Sequence, residues 1–232
     1  NPLTGFMNKA DSLMVAEHLK TTKGLFWPVP IVNMVKDASA IHGAKRIALR
    51  DPNVVGNPVL AIMDVEKVEE FSDADMKMMT EKIFRTLDPE HPGVAAFNSV
   101  GKFVVSGPIQ VLNFSYFEAD FPDTFRTATS IRNEIAERGW NKVVAFQTRN
   151  PMHRSHEYLA KIAIEICDGV MVHSLLGKLK PGDIPAEVRQ EAIGVLLDKY
   201  FVKDTVVQSG YPLDMRYTNP RKTLLHALFR QN

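Results

Sequence analysis

The densest group of potentially reactive side chains lies in residues 147–157. This segment reads Gln147-Thr148-Arg149-Asn150-Pro151-Met152-His153-Arg154-Ser155-His156-Glu157. Arginine and histidine side chains donate hydrogen bonds to anionic oxygens, and arginine can do so with two parallel bonds. The segment therefore predicts a binding site for phosphate, sulfate or carboxylate groups.

The same segment lies between a predicted strand and a predicted helix. Val143–Phe146 is a short apolar run, typical of a strand buried on both faces. Asn150 followed by Pro151 is typical of an N-cap and a first helical residue, so the sequence predicts a helix over residues 151–166. A helix start carries unpaired backbone N–H groups and the positive end of the helix dipole, and both favour anions.

The two histidines are three residues apart, which places them on one face of that helix. The spacing predicts that this face flanks a core face made of Met152, Leu159, Ile162, Ala163 and Ile166. A single histidine is commonly structural, but a pair beside an arginine-bearing strand end favours a functional site. Zinc is disfavoured because the chain lacks His-Glu-x-x-His and has only one cysteine.

The second half of the chain alternates strands and helices. The predicted strands are 143–147, 169–174 and 205–209, and the predicted helices are 151–166, 185–200 and 220–230. This order predicts a parallel sheet of Rossmann-like architecture, with ligands beyond the carboxyl ends of the strands. No Gly-x-Gly-x-x-Gly is present, so a nicotinamide-dependent dehydrogenase is disfavoured.

Two more segments are expected at that edge of the sheet. The loop 177–183 follows the second strand, and its lysines and glycines suit either a phosphate contact or a plain surface loop. Arg216 and the helix start at Asn219-Pro220 follow the third strand. We predict that Arg216 belongs to the active site, whereas Arg221 and Lys222 stay open.

The first half of the chain has a different pattern. Short β-rich runs at 27–32, 46–50, 59–68 and 103–111 predict a mostly-β domain, interrupted by helices at 11–19 and 72–87. The periodicity breaks at 118–123, before a predicted helix at 127–138 closed by Gly139. We therefore expect domains at 1–119 and 120–232. Val100-Gly101-Lys102-Phe103 is not a phosphate loop, because that motif needs glycine at 96 and serine or threonine at 103.

Composition narrows the function classes. The 28 Lys and Arg against 27 Asp and Glu leave a net charge of +1, so no overall field favours nucleic acid or an anionic membrane. The single Cys167 cannot form an internal disulfide, and no signal-like or membrane-spanning segment is evident, so a cytoplasmic location is expected. The chain begins at Asn1 and ends within a predicted helix, so we expect part of a longer protein.

The residues 147–157 resemble the signature of the ATP sulfurylase (sulfate adenylyltransferase) family. The resemblance extends over nearly the whole chain, through the segments 3–7, 24–30, 47–52, 91–94, 180–185, 215–217 and 226–232.

The resemblance implies a fold and a reaction. The fold is an α/β nucleotidyltransferase domain with a parallel sheet, preceded by a barrel-like, PUA-like domain. The reaction converts ATP and sulfate to adenosine 5′-phosphosulfate and pyrophosphate, by in-line attack of sulfate on the α-phosphorus. Magnesium would enter as MgATP, with no metal ligand from the chain, and the family favours homo-oligomers.

The resemblance also implies site residues. The catalytic residues would be Thr148, Arg149, Asn150, His153 and His156. Sulfate would be bound by Gln147 and Arg149. ATP would be bound by Gln147, Thr148, Arg149, Asn150, His153, His156 and Arg216. A Gly-Arg-Asp-His-Ala loop that members of the family carry further downstream is absent from this chain, so the site is expected to be incomplete and the chain alone inactive.

Two alternatives stay open at this point. One is another nucleotidyltransferase with paired histidines and a different acceptor. The other is a truncated module that only binds a nucleotide or an anion. The physiological direction of the reaction, assimilation or sulfur oxidation, is also open.

Overall fold

A computed structural model describes residues 3–177, 182–213, 218 and 220–232. The chain divides into two units. The first comprises Asn1–Ser115 and Arg216–Asn232, and the second comprises Tyr116–Met215. The domain boundary between residues 119 and 120, expected from the sequence, remains a prediction.

Residues up to 115 contain the following elements: β1 (Gly5–Phe6), α1 (Lys9–His18), β2 (Met34–Val35), β3 (Arg46–Arg50), β4 (Val59–Asp64), β5 (Lys67–Glu70), α2 (Asp73–Phe84), α3 (Pro92–Ser99) and β6 (Phe103–Val111). The remaining residues contain α4 (Phe117–Asp120), α5 (Ala128–Glu137), β7 (Val143–Thr148), α6 (Arg154–Ile166), β8 (Gly169–Leu175), α7 (Ala186–Tyr200), β9 (Val206–Tyr211) and α8 (Pro220–Gln231).

The first unit is built around the long strand β6. This strand pairs antiparallel with β1, β2, β4 and β5 at different points along its length. Gly107 lies where the partners change, with φ of 149°. A Cβ atom at this position would lie 1.9 Å from the carbonyl oxygen of Asp64, so only glycine fits without moving the backbone.

The predictions for this unit are partly right. The strands at 46–50 and 103–111 are confirmed, and the run 59–68 is divided into β4 and β5. The predicted strand at 27–32 is wrong, because Pro28 and Pro30 have no N–H for a sheet ladder and the segment is irregular. Helix α3, with His91 as its N-cap, was not predicted.

The second unit contains the predicted parallel sheet, in the order β7-β8-β9. Val144 pairs with Val170, and Val170 pairs with Val206, so the three strands run in register. Helices α6 and α7 supply core residues to this sheet: Ala160 and Ala163 from α6, and Ile193 from α7, pack with Val170 and Val172.

Two expectations for β7 and α6 are wrong. β7 is an edge strand of the described sheet, and Ala145 is exposed, so this strand is not buried on both faces. Of the predicted core face of α6, Ala163 and Met152 do pack in the core, together with Ala160 and Ile164, whereas Leu159, Ile162 and Ile166 are 54%, 43% and 72% exposed. The small alanines allow α6 to approach the sheet closely, and these three larger side chains lie on the outward face.

Helix α8 packs within the first unit. Leu225 belongs to a buried cluster with Met7, Val15 and Trp27. The guanidinium of Arg221 donates hydrogen bonds to the carbonyl oxygens of Val15 (3.2 Å), Pro28 (3.1 Å) and Ala16 (2.7 Å). Val15 and Ala16 lie in the last turn of α1, where the Val15 carbonyl also accepts from the N–H of the C-cap residue Leu19 and later carbonyl groups lack helical partners. Arg221 therefore caps the end of α1 from a buried position, which gives this residue a structural role.

Candidate active site

The candidate site begins where β7 ends, at Thr148. Only 6% of Thr148 is exposed. Its Oγ1 accepts a hydrogen bond from the N–H of Asn150 (3.0 Å) and donates one to the carbonyl oxygen of Asn150 (2.7 Å). Such local bonds replace a helical or extended backbone by a tight turn. Thr148 therefore shapes the loop that leads from the sheet to α6.

The helix that follows begins three residues later than predicted. His153 is the N-cap of α6, and Asn150 and Pro151 lie in the preceding loop. The Thr148 hydroxyl bonds both backbone polar groups of Asn150, which holds this residue in the turn. The prediction of an Asn150 cap is wrong because an asparagine followed by proline is also a common turn signal.

The two histidines form a capping box at this helix start. Nδ1 of His153 accepts from the N–H of Ser155 (3.4 Å), and Nδ1 of His156 accepts from the N–H of His153 (3.2 Å). The hydroxyl oxygen of Ser155 also lies 3.1 Å from Nδ1 of His153. Sequence analysis did not single out Ser155, although serine in the first turn of a helix beside a histidine is a usable signal.

The rings of the two histidines lie against each other. Their centroids are 3.9 Å apart at an interplanar angle of 57°, and the edge of Phe146 contacts His156 at a centroid distance of 5.9 Å. Burial, and then the charge that His153 would carry, lower the pKa of His156 below its ordinary value. His156 is therefore neutral at pH 7.

Gln147 and Arg149 flank the buried Thr148. Gln147 is exposed and Arg149 is half-buried. Gln147 pairs in register with His173, which pairs with Ser209, so the three residues form a row across the sheet near its carboxyl end. Within the part of the chain that the structure describes, Arg149 makes no hydrogen bond or ion pair, so its guanidinium is available to an anion.

The nearby carboxylate does not oppose an anion strongly. Glu157 is held by Lys161 of the next helical turn at 2.6 Å, so its charge is neutralised locally. In the described ranges, no group of three or more His, Cys, Asp or Glu residues is arranged to hold a metal ion. The chemistry available at the loop is therefore hydrogen-bond donation and positive charge.

The remaining predicted residues lie either outside the described part of the chain or in the first unit. Arg216, Asn219 and residues 178–181 lie outside the described residues. Arg221 is buried in the first unit, on the end of α1. The structure thus brings together Gln147, Thr148, Arg149, Asn150, His153 and His156, which lie within one strand-to-helix connection.

Comparison with known proteins identifies both parts of the chain. Residues 122–232 match the ATP-sulfurylase family model, and residues 1–114 match the model of a PUA-like domain. No described helix is long and apolar enough to cross a membrane.

Curated relatives match the whole chain. The sulfate adenylyltransferase of Alcanivorax borkumensis is 64% identical over 233 residues, which is 100% of this chain and 58% of that protein. The sulfate adenylyltransferase of Allochromatium vinosum is 61% identical, over 100% of this chain and 59% of that protein. The chain thus spans little more than half the length of these relatives.

A solved structure supports the fold alone. The hexameric APS kinase from Thiobacillus denitrificans superposes with a TM-score of 0.67 at 24% identity, over 98% of this chain and 40% of that chain. Together the comparisons show that residues 122–232 form an ATP-sulfurylase domain, that residues 1–114 form a PUA-like domain, and that the chain is similar over its whole length to sulfate adenylyltransferases.

Proposed function

We propose that this chain is the part of a sulfate adenylyltransferase that binds sulfate and the phosphates of ATP. In the reaction, a sulfate oxygen forms a bond to the α-phosphorus, and the bond from the α-phosphorus to the bridging oxygen breaks. Adenosine 5′-phosphosulfate and pyrophosphate are released, and the reaction is reversible. The full-length relatives named sulfate adenylyltransferase support this proposal.

One observation carries the assignment to this loop. An arginine without a partner among the described residues and two stacked histidines lie on a single strand-to-helix connection. Sulfate is a weak, doubly charged nucleophile, so the site must hold two mutually repelling anions in line. Positioning and charge neutralisation then supply most of the catalysis, and no general base is required.

We assign roles to the site residues on this basis. Gln147 and Arg149 bind sulfate, with the guanidinium of Arg149 giving two parallel hydrogen bonds. His153 and His156 donate to the phosphate oxygens as charge develops on the departing pyrophosphate. Thr148 and Asn150 shape the loop, and the backbone there contacts the nucleotide phosphates. Arg216 remains our proposal for a further ATP contact.

The divalent metal enters with the substrate in this proposal. Mg²⁺ is held by the phosphates of MgATP, since it commonly keeps several waters and binds nucleotides through phosphate oxygens.

We further propose three properties of the native protein. The parallel sheet with its alternating helices is Rossmann-like, and the first domain is a PUA-like barrel. The protein forms a homo-oligomer, for which the hexameric fold neighbour is a precedent. Its location is the cytoplasm, consistent with a single cysteine.

The test is isotope exchange in the native protein, expressed from its complete gene. Labelled pyrophosphate should enter ATP only when sulfate or adenosine 5′-phosphosulfate is present, and ATP with sulfate should release pyrophosphate. Exchange supported by another acceptor and not by sulfate would identify a different nucleotidyltransferase. Binding of ATP or sulfate without any exchange would leave only a binding module and would contradict the proposal.

A further inference from the structure

We propose that Ser155 is a positioning residue that acts with the backbone of the α6 helix start to fix His153 and His156 as neutral Nε2–H tautomers. The consequence for catalysis rests on the proposed function. The tautomers themselves are a property of the protein and can be measured without ATP or sulfate.

The contact to His156 determines where its ring proton lies. The N–H of His153 points to Nδ1 of His156 at 3.2 Å. A backbone N–H can only donate, so Nδ1 must present its lone pair to it. In a neutral imidazole the proton is then on Nε2.

The contacts to His153 have the same effect through Ser155. The Ser155 N–H reaches Nδ1 of His153 at 3.4 Å, which is long for a hydrogen bond, and the Ser155 oxygen reaches it at 3.1 Å. Because the N–H requires a lone pair on Nδ1, the hydroxyl must donate there as well. The hydroxyl is the shorter contact and should contribute most to holding this ring.

Charge disfavours the alternative of a doubly protonated ring. A proton on Nδ1 would face the donors that now bind it, and two charged rings would lie 3.9 Å apart. Burial and the charge of His153 lower the pKa of His156, which also disfavours the doubly protonated ring. Glu157, the carboxylate next in sequence, is paired with Lys161 at 2.6 Å on the same helix.

The occupied Nδ1 atoms leave each ring with one hydrogen-bonding group for a ligand. Nε2 is on the opposite side of the ring from Nδ1, so its N–H is directed away from the helix start. Two such donors on stacked rings suit the closely spaced oxygens of a di- or triphosphate chain. We infer that the pair acts as preorganised neutral donors, since donors fixed before the reaction need no reorganisation.

The tautomers can be tested by two-bond ¹H–¹⁵N correlation spectra of the chain labelled on histidine. His91 is a matched internal reference, because its Nδ1 accepts from the N–H groups of Gly93 (3.2 Å) and Val94 (3.4 Å) at another helix start. His18, about half of whose side chain is exposed, is the reference for a ring without such a cap, and it is measured in a Glu17→Ala background because Oε2 of Glu17 lies 3.6 Å from its Nε2. Single His→Asn variants assign the signals.

We expect His153 and His156 to show the Nε2–H pattern at pH 7.5, as His91 does, with less of the other tautomer than His18. Ser155→Ala should raise the Nδ1–H population of His153 about fivefold, the ratio that corresponds to one modest hydrogen bond. His156 should be unaffected in that variant, since its cap is a backbone N–H. Ser155→Thr keeps the hydroxyl and should restore the wild-type population.

Three results would overturn the inference. These are an Nδ1–H or doubly protonated pattern at either histidine, a tautomer ratio equal to that of His18, and a His153 signal that does not respond to Ser155→Ala. Absence of sulfate-dependent exchange with the expected spectra would instead count against the proposed function alone.

Discussion

Arg149 is the residue whose role can be tested with the least risk to the fold. Its guanidinium makes no hydrogen bond or ion pair within the described part of the chain, so its removal leaves no polar partner unpaired there. We predict that Arg149→Ala lowers sulfate-dependent turnover of the native protein by at least about 100-fold, the effect of removing one preorganised donor to a charged group. The measurement is pyrophosphate release at saturating sulfate.

Two further variants sharpen this experiment. Arg149→Lys keeps the charge but loses the two-pronged geometry, and it should fall between wild type and Arg149→Ala. Arg132→Ala, at an exposed position on α5, should retain full activity. Near-normal activity of Arg149→Ala would remove Arg149 from the sulfate site, and circular dichroism distinguishes this from misfolding.

His156 combines a structural and a proposed catalytic role, and the two can be separated. We predict that His156→Asn lowers turnover far more than it raises the apparent KM for ATP, because the ring donor binds most strongly as charge develops. Asparagine places an amide oxygen where Nδ1 of His156 lies, so the bond from the His153 N–H is retained and stability should change by less than about 1 kcal/mol. Steady-state kinetics and urea unfolding measure the two effects.

The matched control for His156 is His91→Asn. His91 also accepts backbone N–H groups at a helix start, in the first unit and outside the proposed site. Asparagine is a preferred N-cap whose amide oxygen lies where Nδ1 of His91 does, so this variant should keep its stability to within about 1 kcal/mol, with unchanged turnover. Unchanged turnover together with weakened ATP binding in His156→Asn would restrict His156 to ground-state binding.

At the scale of elements, the sequence predicts long strands and helices well, but it predicts the ends of helices poorly. The strand β6 and the helix α7 were predicted within a residue, because a β-rich run of nine residues and a four-turn helix leave few alternatives. The start of α6 was misplaced because the Thr148 hydroxyl competes for the backbone of Asn150, and a histidine then serves as the cap.

The outward face of α6 could not be predicted from its pattern. Leu159 and Ile162 repeat at helical spacing and predicted a core stripe, but the alanines of the helix face the sheet. Periodicity gives the relative angle of side chains and not which face meets the core. The residues of the candidate site could be proposed from the sequence motif. The hydrogen bonds by which its two histidines cap α6 could not, because they depend on the three-dimensional position of each ring.

The cap on helix α1 gives a prediction at this scale. Arg221 is buried and donates three hydrogen bonds to carbonyl oxygens, of which that of Val15 also accepts from the N–H of Leu19 at 3.1 Å. Arg221→Met should therefore lower the free energy of unfolding by about 2–4 kcal/mol, since buried polar groups lose their partners. Chemical denaturation monitored by Trp27 fluorescence, in a Trp140→Phe background, reports the first unit.

A surface arginine provides the comparison for Arg221. Arg46 forms an exposed ion pair with Asp64 at 2.8 Å, and Arg46→Met should cost less than about 1 kcal/mol. Equal effects of the two substitutions would show that Arg221 does not stabilise α1. A fully active Arg221→Met protein at low temperature would support its assignment to structure and not to catalysis.

At the scale of the whole molecule, the order of elements predicted a mostly-β first domain and a second domain with a parallel sheet. It did not predict the packing of the last helix. The alternation of strands and helices implied that residues 220–230 continue the parallel sheet unit. In the structure, α8 instead packs with Met7, Val15 and Trp27. Such long-range contacts are decided by the complementarity of buried surfaces, which a local pattern does not contain.

This packing makes the stability of the first unit dependent on pH. His226 of α8 is buried, and burial followed by the charges of Arg230 and Lys222 lowers its pKa from 6.5 to about 4. The unfolded chain therefore binds a proton at higher pH than the folded chain. Stability from this residue is complete above pH 6.5 and is lost as the pH falls from 6.5 towards 4.

We predict that the first unit is about 2 kcal/mol less stable at pH 5 than at pH 7.5 on account of His226. The measurement is urea unfolding at several pH values, followed by Trp27 fluorescence in the Trp140→Phe background. Other carboxylates and histidines also titrate in this range, so the same series is measured for His226→Leu, which keeps an apolar side chain in the buried site. The free energy of unfolding of the wild type minus that of His226→Leu should increase with pH below pH 6.5. Above pH 6.5 this difference should be constant. Parallel curves from pH 4 to pH 7.5 would show that His226 titrates normally in the folded protein and that α8 does not bury it.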